Sequence, residues 1–342
     1  MGSPSSPRYS VVIAGCSLFI ILFILLGLTM GEMGLSLREV LTSLLRLSEN
    51  RENDLVIFQF RLPRIALGAL LGFGLGLAGS AVQSLTRNGL ADPGILGINA
   101  GAGMFVVIFM LLLKDLLPPS GTAQVMLMPL FGMTGGLLAS ALIFLLSRDR
   151  DGINPQKLLL VGIAVSSGFS AVTLYASLKM NPNDFEQAAA WLSGNLNSAN
   201  WLFVASVLPW MVLLTPLLLS KTRTLDLFRM GEGSVISLGI PVRRERSLLL
   251  LASVGLVSSG VAVAGSIGFV GLIAPHMAVR LTGLSHRRSL PVSGLLGAAL
   301  VLAGDFIGRT IFSPAQLPVG IVLSVIGAPY FVWLLASRRR RT

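Results

Sequence analysis

The chain is poor in the residues that reactive chemistry needs. Its 342 residues include one cysteine and two histidines. Cys16 stands alone in an apolar run, which excludes an intramolecular disulfide and a cysteine-based metal site. His276 and His286 are too few for a histidine-rich metal centre. His276, directly after Pro275 in a short apolar stretch, reads as a packing residue. None of the four lysines follows a glycine, so there is no G-x-x-x-x-G-K-[ST] phosphate loop, and HExxH is absent too. The chain therefore does not hydrolyse nucleotide by a P-loop. No catalytic residue, metal or cofactor is predicted. Charge is scarce as well: 12% of residues are charged, against about 25% in soluble domains.

What is abundant is apolar. Hydrophobic residues make up 53% of the chain, and the mean hydropathy is +0.80. This is the composition of an all-α polytopic membrane protein, read here as one permease domain over residues 1–342. The 38 glycines suit close helix packing in lipid. The formal charge of +11 does not point to nucleic acid, because the basic residues lie in short clusters between apolar spans.

Ten spans are predicted. The first is the uncharged run Val11–Met30, too long for a signal-peptide core and read as a retained helix. The others fall near 62–86, 95–113, 126–147, 157–178, 201–220, 247–264, 269–281, 290–308 and 317–336. Residues 32–60 carry five acids and three arginines and read as extramembrane, with a short helix capped by Ser36 and Glu39. A polar surface helix is expected at 183–192, capped by Asn183. Residues 221–246 form a polar insertion fitting two short helices, broken at Gly231 and Gly233.

The stretch Arg61–Gly103 is the most informative. No charge appears between Arg64 and Arg87. Those 22 residues, as a helix, reach about 33 Å, enough for a hydrocarbon core of roughly 30 Å. Gly68, Gly72, Gly76, Ser80 and Ser84 recur every four residues and form one small-residue ridge. An ordinary tightly packed helix pair is the plain alternative.

Basic residues assign a direction. With the N-terminus inside, 18 of the 26 lie on the cytoplasmic side and 8 outside. That bias gives N-in, C-in, with Arg61, Arg64 and Arg309 on the outer face and the 221–246 insertion in the cytoplasm. Asp305 is the one acid deep in a predicted span. It is either a functional group or the partner of Arg309, four residues on. A single deep acid argues against a proton-coupled carrier, which needs a carboxylate relay. The chain reads as a path without its own engine, driven by a separate ATPase. An ion-gradient secondary transporter and a structural or signalling membrane protein are the other classes.

Several long stretches resemble the permease family of iron–siderophore and vitamin B12 ABC importers, the type II, FecCD-like permeases. They are RLPR at 61–64, AGSAVQSLTRNGLADPGILGINAGA at 78–102, WLSGN at 191–195 and MGEGSVISLGIP at 230–241. GSIGFVGLIAPHMAVRLTGLSHRRSLP at 265–291 and LPVGIVLSVIGAPYFVWLL at 317–335 complete the set. The resemblance implies a ten-helix permease, working as a homo- or heterodimer in the bacterial cytoplasmic membrane. It implies two copies of an ABC ATPase inside and a substrate-binding protein outside. Iron(III)–siderophore chelates are the implied cargo, with haem or cobalamin as alternatives.

Site residues follow from the same resemblance. Docking of the binding protein falls on Arg61, Arg64 and Arg309. Coupling helices fall at about 225–240, where Glu232, Leu238 and Gly239 match the family pattern, and Leu225 is assigned to coupling with them. The cytoplasmic gate falls on Asn88 and Leu90, with a second gate segment around Asn154. An outer constriction falls on Met180 and Asn181. The chain departs from the family pattern at Gly89, where proline is usual, at Gln316, where glutamate is usual, and at Gly304, where alanine is usual.

Overall fold

The computed structural model describes residues 7–31, 33–47, 50–113, 116, 122–149, 152–312 and 315–339. Among the described residues fifteen α-helices are formed: α1 (Pro7–Thr29), α2 (Leu37–Leu44), α3 (Arg51–Leu55), α4 (Leu62–Leu85), α5 (Ile98–Leu112), α6 (Thr122–Leu146) and α7 (Pro155–Ser177). Then come α8 (Pro182–Leu192), α9 (Trp201–Ser220), α10 (Thr222–Met230), α11 (Glu232–Ser237), α12 (Val242–Ala264), α13 (Val270–Thr282), α14 (His286–Thr310) and α15 (Val319–Arg339). After α6, Arg148–Asp149 (β1) pairs antiparallel with Gly152–Ile153 (β2).

Among the described residues, seven helices are long and apolar enough to cross a membrane: α1, the continuous run Arg51–Leu85, α6, α7, α9, α12 and α14. Three shorter apolar helices accompany them: α5, α13 and α15 up to Leu334. α4 and α12 are mostly buried and form the centre, whereas α1 and α7 keep most of their surface exposed.

Two expectations are corrected. The second span does not begin at residue 62. The helix starts at Arg51 and passes through a π-turn, Val56–Arg61, into α4. Ile57 is fully buried against the cluster of Leu28, Leu35, Val40 and Ile65, so this apolar stretch belongs to the packed core. The π-turn widens the helix just before Pro63, which cannot donate to the preceding turn. The cap of α8 is Asn181 rather than Asn183. Pro182 takes the first turn, and the Asp184 N–H donates to Asn181 Oδ1 at 2.9 Å. The predicted capping box of α2 is formed, with Ser36 N–H donating to Glu39 Oε2 at 2.7 Å and Glu39 N–H donating to Ser36 Oγ at 3.3 Å.

The small-residue ridge of α4 lies along α14, antiparallel. Gly68 faces Val301 and Leu302, a Cβ on Gly72 would collide with the Gly297 carbonyl, and one on Gly76 with the Ser293 carbonyl. Ser293 Oγ donates to Gly76 O at 2.7 Å. Backbone approaches this close are open only to residues without a side chain, the usual basis of tight helix pairing in lipid.

Three of the sequence motifs meet at one crossing. Asn195 N–H donates to Ala264 O at 2.7 Å, and Gly320 N–H donates to Gly194 O at 3.0 Å. Gly194 adopts φ +74° and Gly265 φ +72°, where a side chain would be strained. WLSGN, GSIGF and LPVG are thus one packed junction.

Candidate functional site

The residues singled out from sequence fall at the two ends of the α4–α14 pair, in the α10–α11 insertion, at the start of α7 and at the α7–α8 corner. At the first end lie Arg61, Arg64 and Arg309. Arg64 makes a bidentate pair with Asp305, with Nε at 3.0 Å and 3.1 Å from the two carboxylate oxygens and Nη2 at 2.8 Å. Its Nη1 donates to Gln316 Oε1 at 3.0 Å. Asp305 is therefore held by Arg64, not by Arg309 as one sequence reading allowed. A planar guanidinium matches both carboxylate oxygens at once. Arg61 is 7% exposed and donates to the carbonyls of Leu28 and Met33. Arg309 lies over the Phe306 ring, 5.7 Å from its centroid. The Arg309 Nε is buried and has no hydrogen-bond partner among the described residues.

At the opposite end, α4 stops at Leu85 and the chain turns at Asn88–Leu90. Asn88 Oδ1 accepts from Leu90 N–H at 3.0 Å, an Asx turn, and Asn88 O accepts from Ala91 N–H at 3.0 Å, so side chain and backbone close the turn together. Leu90 packs toward Leu272, Ile273 and Leu334. Gly89 sits at the tip of this turn. Asp92 Oδ1 accepts from Gly94 N–H at 2.7 Å, capping the 3-10 turn Pro93–Leu96 that leads into α5.

α10 and α11 lie beside that turn. Leu225 is fully buried and Phe228 nearly so, with the Arg246 guanidinium 5.4 Å from the Phe228 ring centroid. Leu225 thus anchors α10 to the core. Leu238 is 64% exposed, and Met230 and Ile236 are exposed beside it. Glu232 opens α11; its side chain lies outside what the structure describes. Gly239 adopts φ +70° and closes the insertion. Reading the sequence missed Met230 and Ile236; their signal was large apolar residues in an otherwise polar loop.

Asp226 of α10 joins this end to α14. Burial raises its carboxyl, but hydrogen bonds from His286 and Ser285 outweigh that and hold it below the usual carboxylate range. A folded value below the unfolded one stabilises at neutral pH and is lost as pH falls through the folded value.

Asn154 caps α7, its Oδ1 accepting from Gln156 N–H at 3.0 Å and Lys157 N–H at 3.3 Å. Its amide donates to Asp149 Oδ2 at 3.3 Å, and Lys157 Nζ lies 2.9 Å from Asp149 Oδ1. Hydrogen bonds from Lys157 and Asn154 hold the Asp149 carboxyl below its ordinary range. Met180 and Asn181 sit far from this hairpin in the chain, at the α7–α8 corner.

A cavity of about 520 Å³ opens between α5, α7 and α8. Ser166, Ser170, Thr173 and Ser177 of α7 line it, with Asn99 opposite. Positions i, i+4, i+7 and i+11 lie on one helix face, a periodicity readable in the sequence but overlooked there. Asn99 Oδ1 and Ser166 Oγ are buried without a hydrogen-bond partner among the described residues. No group of three or more histidine, cysteine, aspartate or glutamate side chains able to hold a metal ion exists among the described residues.

Residues 18–337 match the FecCD transport family. The chain belongs to that family. This FecCD chain is 46% identical to the Bacillus subtilis iron-uptake system permease protein FeuC, over 95% of its own length and 97% of that protein. It is 42% identical to the iron(3+)-hydroxamate import system permease protein FhuG of the same organism, over 95% and 96%. The fold matches a solved inward-facing ABC transporter of metal-chelate type with a TM-score of 0.82, 28% identity, and coverage of 96% of this chain and 99% of that one. As a FecCD chain it is a membrane permease component and not an enzyme; ATP hydrolysis belongs to a separate subunit.

Proposed function

We propose that this FecCD permease carries iron(III)–siderophore chelates across the bacterial cytoplasmic membrane by ATP-driven alternating access. The carrying observation is the match over residues 18–337, joined to relatives named for iron uptake at 46% and 42% identity. We read the seven long and three shorter apolar helices as ten spans of one permease domain, N-in and C-in, on the basic-residue bias. Two copies, identical or paralogous, would form the path, and the hydroxyl-lined cavity beside α7 would face it. A rigid-body rocking of helices about such a path is an established mode of alternating access.

The arginine end of α4–α14 is then outward and docks a substrate-binding protein through its acidic residues. Arg309 is the best placed, because Arg61 spends its donors on backbone carbonyls and Arg64 spends its own on Asp305 and Gln316. The α10–α11 insertion is cytoplasmic and meets the ATPase through Leu238, Met230 and Ile236. Asn88, Leu90 and Asn154 serve the inner gate, and Met180 and Asn181 the outer constriction.

Two tests follow. In a host lacking its own ferric-siderophore permease, uptake of iron-55 chelate should require this chain together with its ATPase and binding protein. Uptake of haem with none of ferric chelate would move the cargo assignment. Leu238→Asp should weaken ATPase co-purification at least tenfold while leaving the permease monodisperse. ATPase retention at the wild-type level would remove Leu238 from the interface.

A further inference from the structure

A second tie of the α4–α14 pair is a line of three side chains, buried at His286 and Ser84 and part-exposed at Asp226. His286, the first residue of α14, is 1% exposed. Its Nδ1 lies 2.6 Å from Asp226 Oδ1, and its backbone N–H donates to the same oxygen at 2.8 Å. Its Nε2 lies 2.6 Å from Ser84 Oγ in the last turn of α4. Ser84 Oγ also lies 2.9 Å from Ser80 O.

The order Ser–His–Asp is that of a hydrolytic triad, but the serine sits in the seam between two packed helices, where no substrate reaches it. What the line does instead is connect. Asp226 belongs to α10 in the polar insertion, His286 to α14, and Ser84 lies four residues before Asn88 in the turn. Arg229 Nη1 adds a second tie from α10, donating to Leu284 O at 3.3 Å. A displacement of α10 therefore pulls on the start of α14, and through the imidazole on the end of α4. Imidazole is suited to this because it presents two nitrogens on opposite sides of a rigid ring. Donation by Ser84 to Ser80 O and by both ring nitrogens to their acceptors requires the imidazolium; donation by Ser84 to Nε2 requires the neutral ring.

We propose that His286 is a positioning residue of the transport cycle, transmitting movement of α10 to the α4 turn at Asn88–Leu90 through Asp226 and Ser84. This rests on the reading of α10–α11 as the ATPase-docking insertion. The test uses the full complex of permease, ATPase and binding protein in proteoliposomes, with ferric-siderophore uptake and ATP hydrolysis measured together. His286→Gln and Ser84→Ala should keep the ATPase bound, keep hydrolysis within about twofold of wild type, and lower uptake per ATP at least tenfold. Ser84→Thr, which retains the hydroxyl, should restore most of that ratio. A ratio within about twofold of wild type in both His286→Gln and Ser84→Ala overturns the proposal. If His286→Gln fails to assemble, Ser84→Ala decides by the same criterion. The docking reading fails separately, if the combined Met230→Asp, Ile236→Asp and Leu238→Asp variant leaves the ATPase bound; transmission through His286 would then have no input whatever the uptake ratio.

Discussion

Gly72→Leu is expected to yield almost no monodisperse permease after extraction from the membrane. A Cβ at Gly72 meets the Gly297 carbonyl and the Ala298 backbone, not a side chain that could turn aside. Relief requires α4 and α14 to separate along their whole seam. Overpacking a core costs about 1–3 kcal/mol where side chains can give, and more when backbone must move. Both clasps, Arg64–Asp305 and Ser84–His286, would be drawn apart with the helices. The matched control is Gly15→Leu in α1, where nothing lies within 4 Å of the added Cβ. Size-exclusion profile and thermal inactivation of the detergent-solubilised protein read the difference. Wild-type behaviour of Gly72→Leu would mean the seam is looser than described.

Arg64→Ala is expected to produce the second largest loss, and a double variant separates its two causes. The pair is largely buried, with side-chain exposures of 14% for Arg64 and 9% for Asp305. Removing one member of a buried pair costs about 3–5 kcal/mol, because the other is left uncompensated. Replacing both by apolar residues of similar size is often neutral. Arg64→Met with Asp305→Leu should therefore regain most of the thermal stability lost in Arg64→Ala. If Arg64 also serves a docking partner, the double variant should still bind the substrate-binding protein at least tenfold more weakly than wild type. Recovery of both stability and affinity would confine Arg64 to a structural role.

The helices were legible because membrane spans announce themselves by long uncharged runs. Trp201–Ser220 matches its predicted limits, and the small-residue ridge predicted a close partner for α4. The identity of that partner was not legible, since Gly72 and Gly297 lie far apart in sequence. The same distance hid the pairing of Asp305, whose partner Arg64 is 241 residues away; the local rule favoured Arg309. The start of the second span was misplaced because Arg51, Glu52 and Asp54 are charged, although Ile57 beyond them is buried. Leu225 was grouped with the docking surface, and only three-dimensional packing turns it inward while leaving Leu238 outside. The hydroxyl face of α7 carried a readable period but no charge to draw notice.

The source of energy is the central claim, and one measurement addresses it most directly. The permease is reconstituted in proteoliposomes with its ATPase and binding protein, and iron-55 siderophore uptake is followed with and without a protonophore at constant ATP. The account predicts uptake that requires ATP and continues at an unchanged rate after the proton gradient is collapsed. Uptake abolished by the protonophore while ATP is held constant would contradict it.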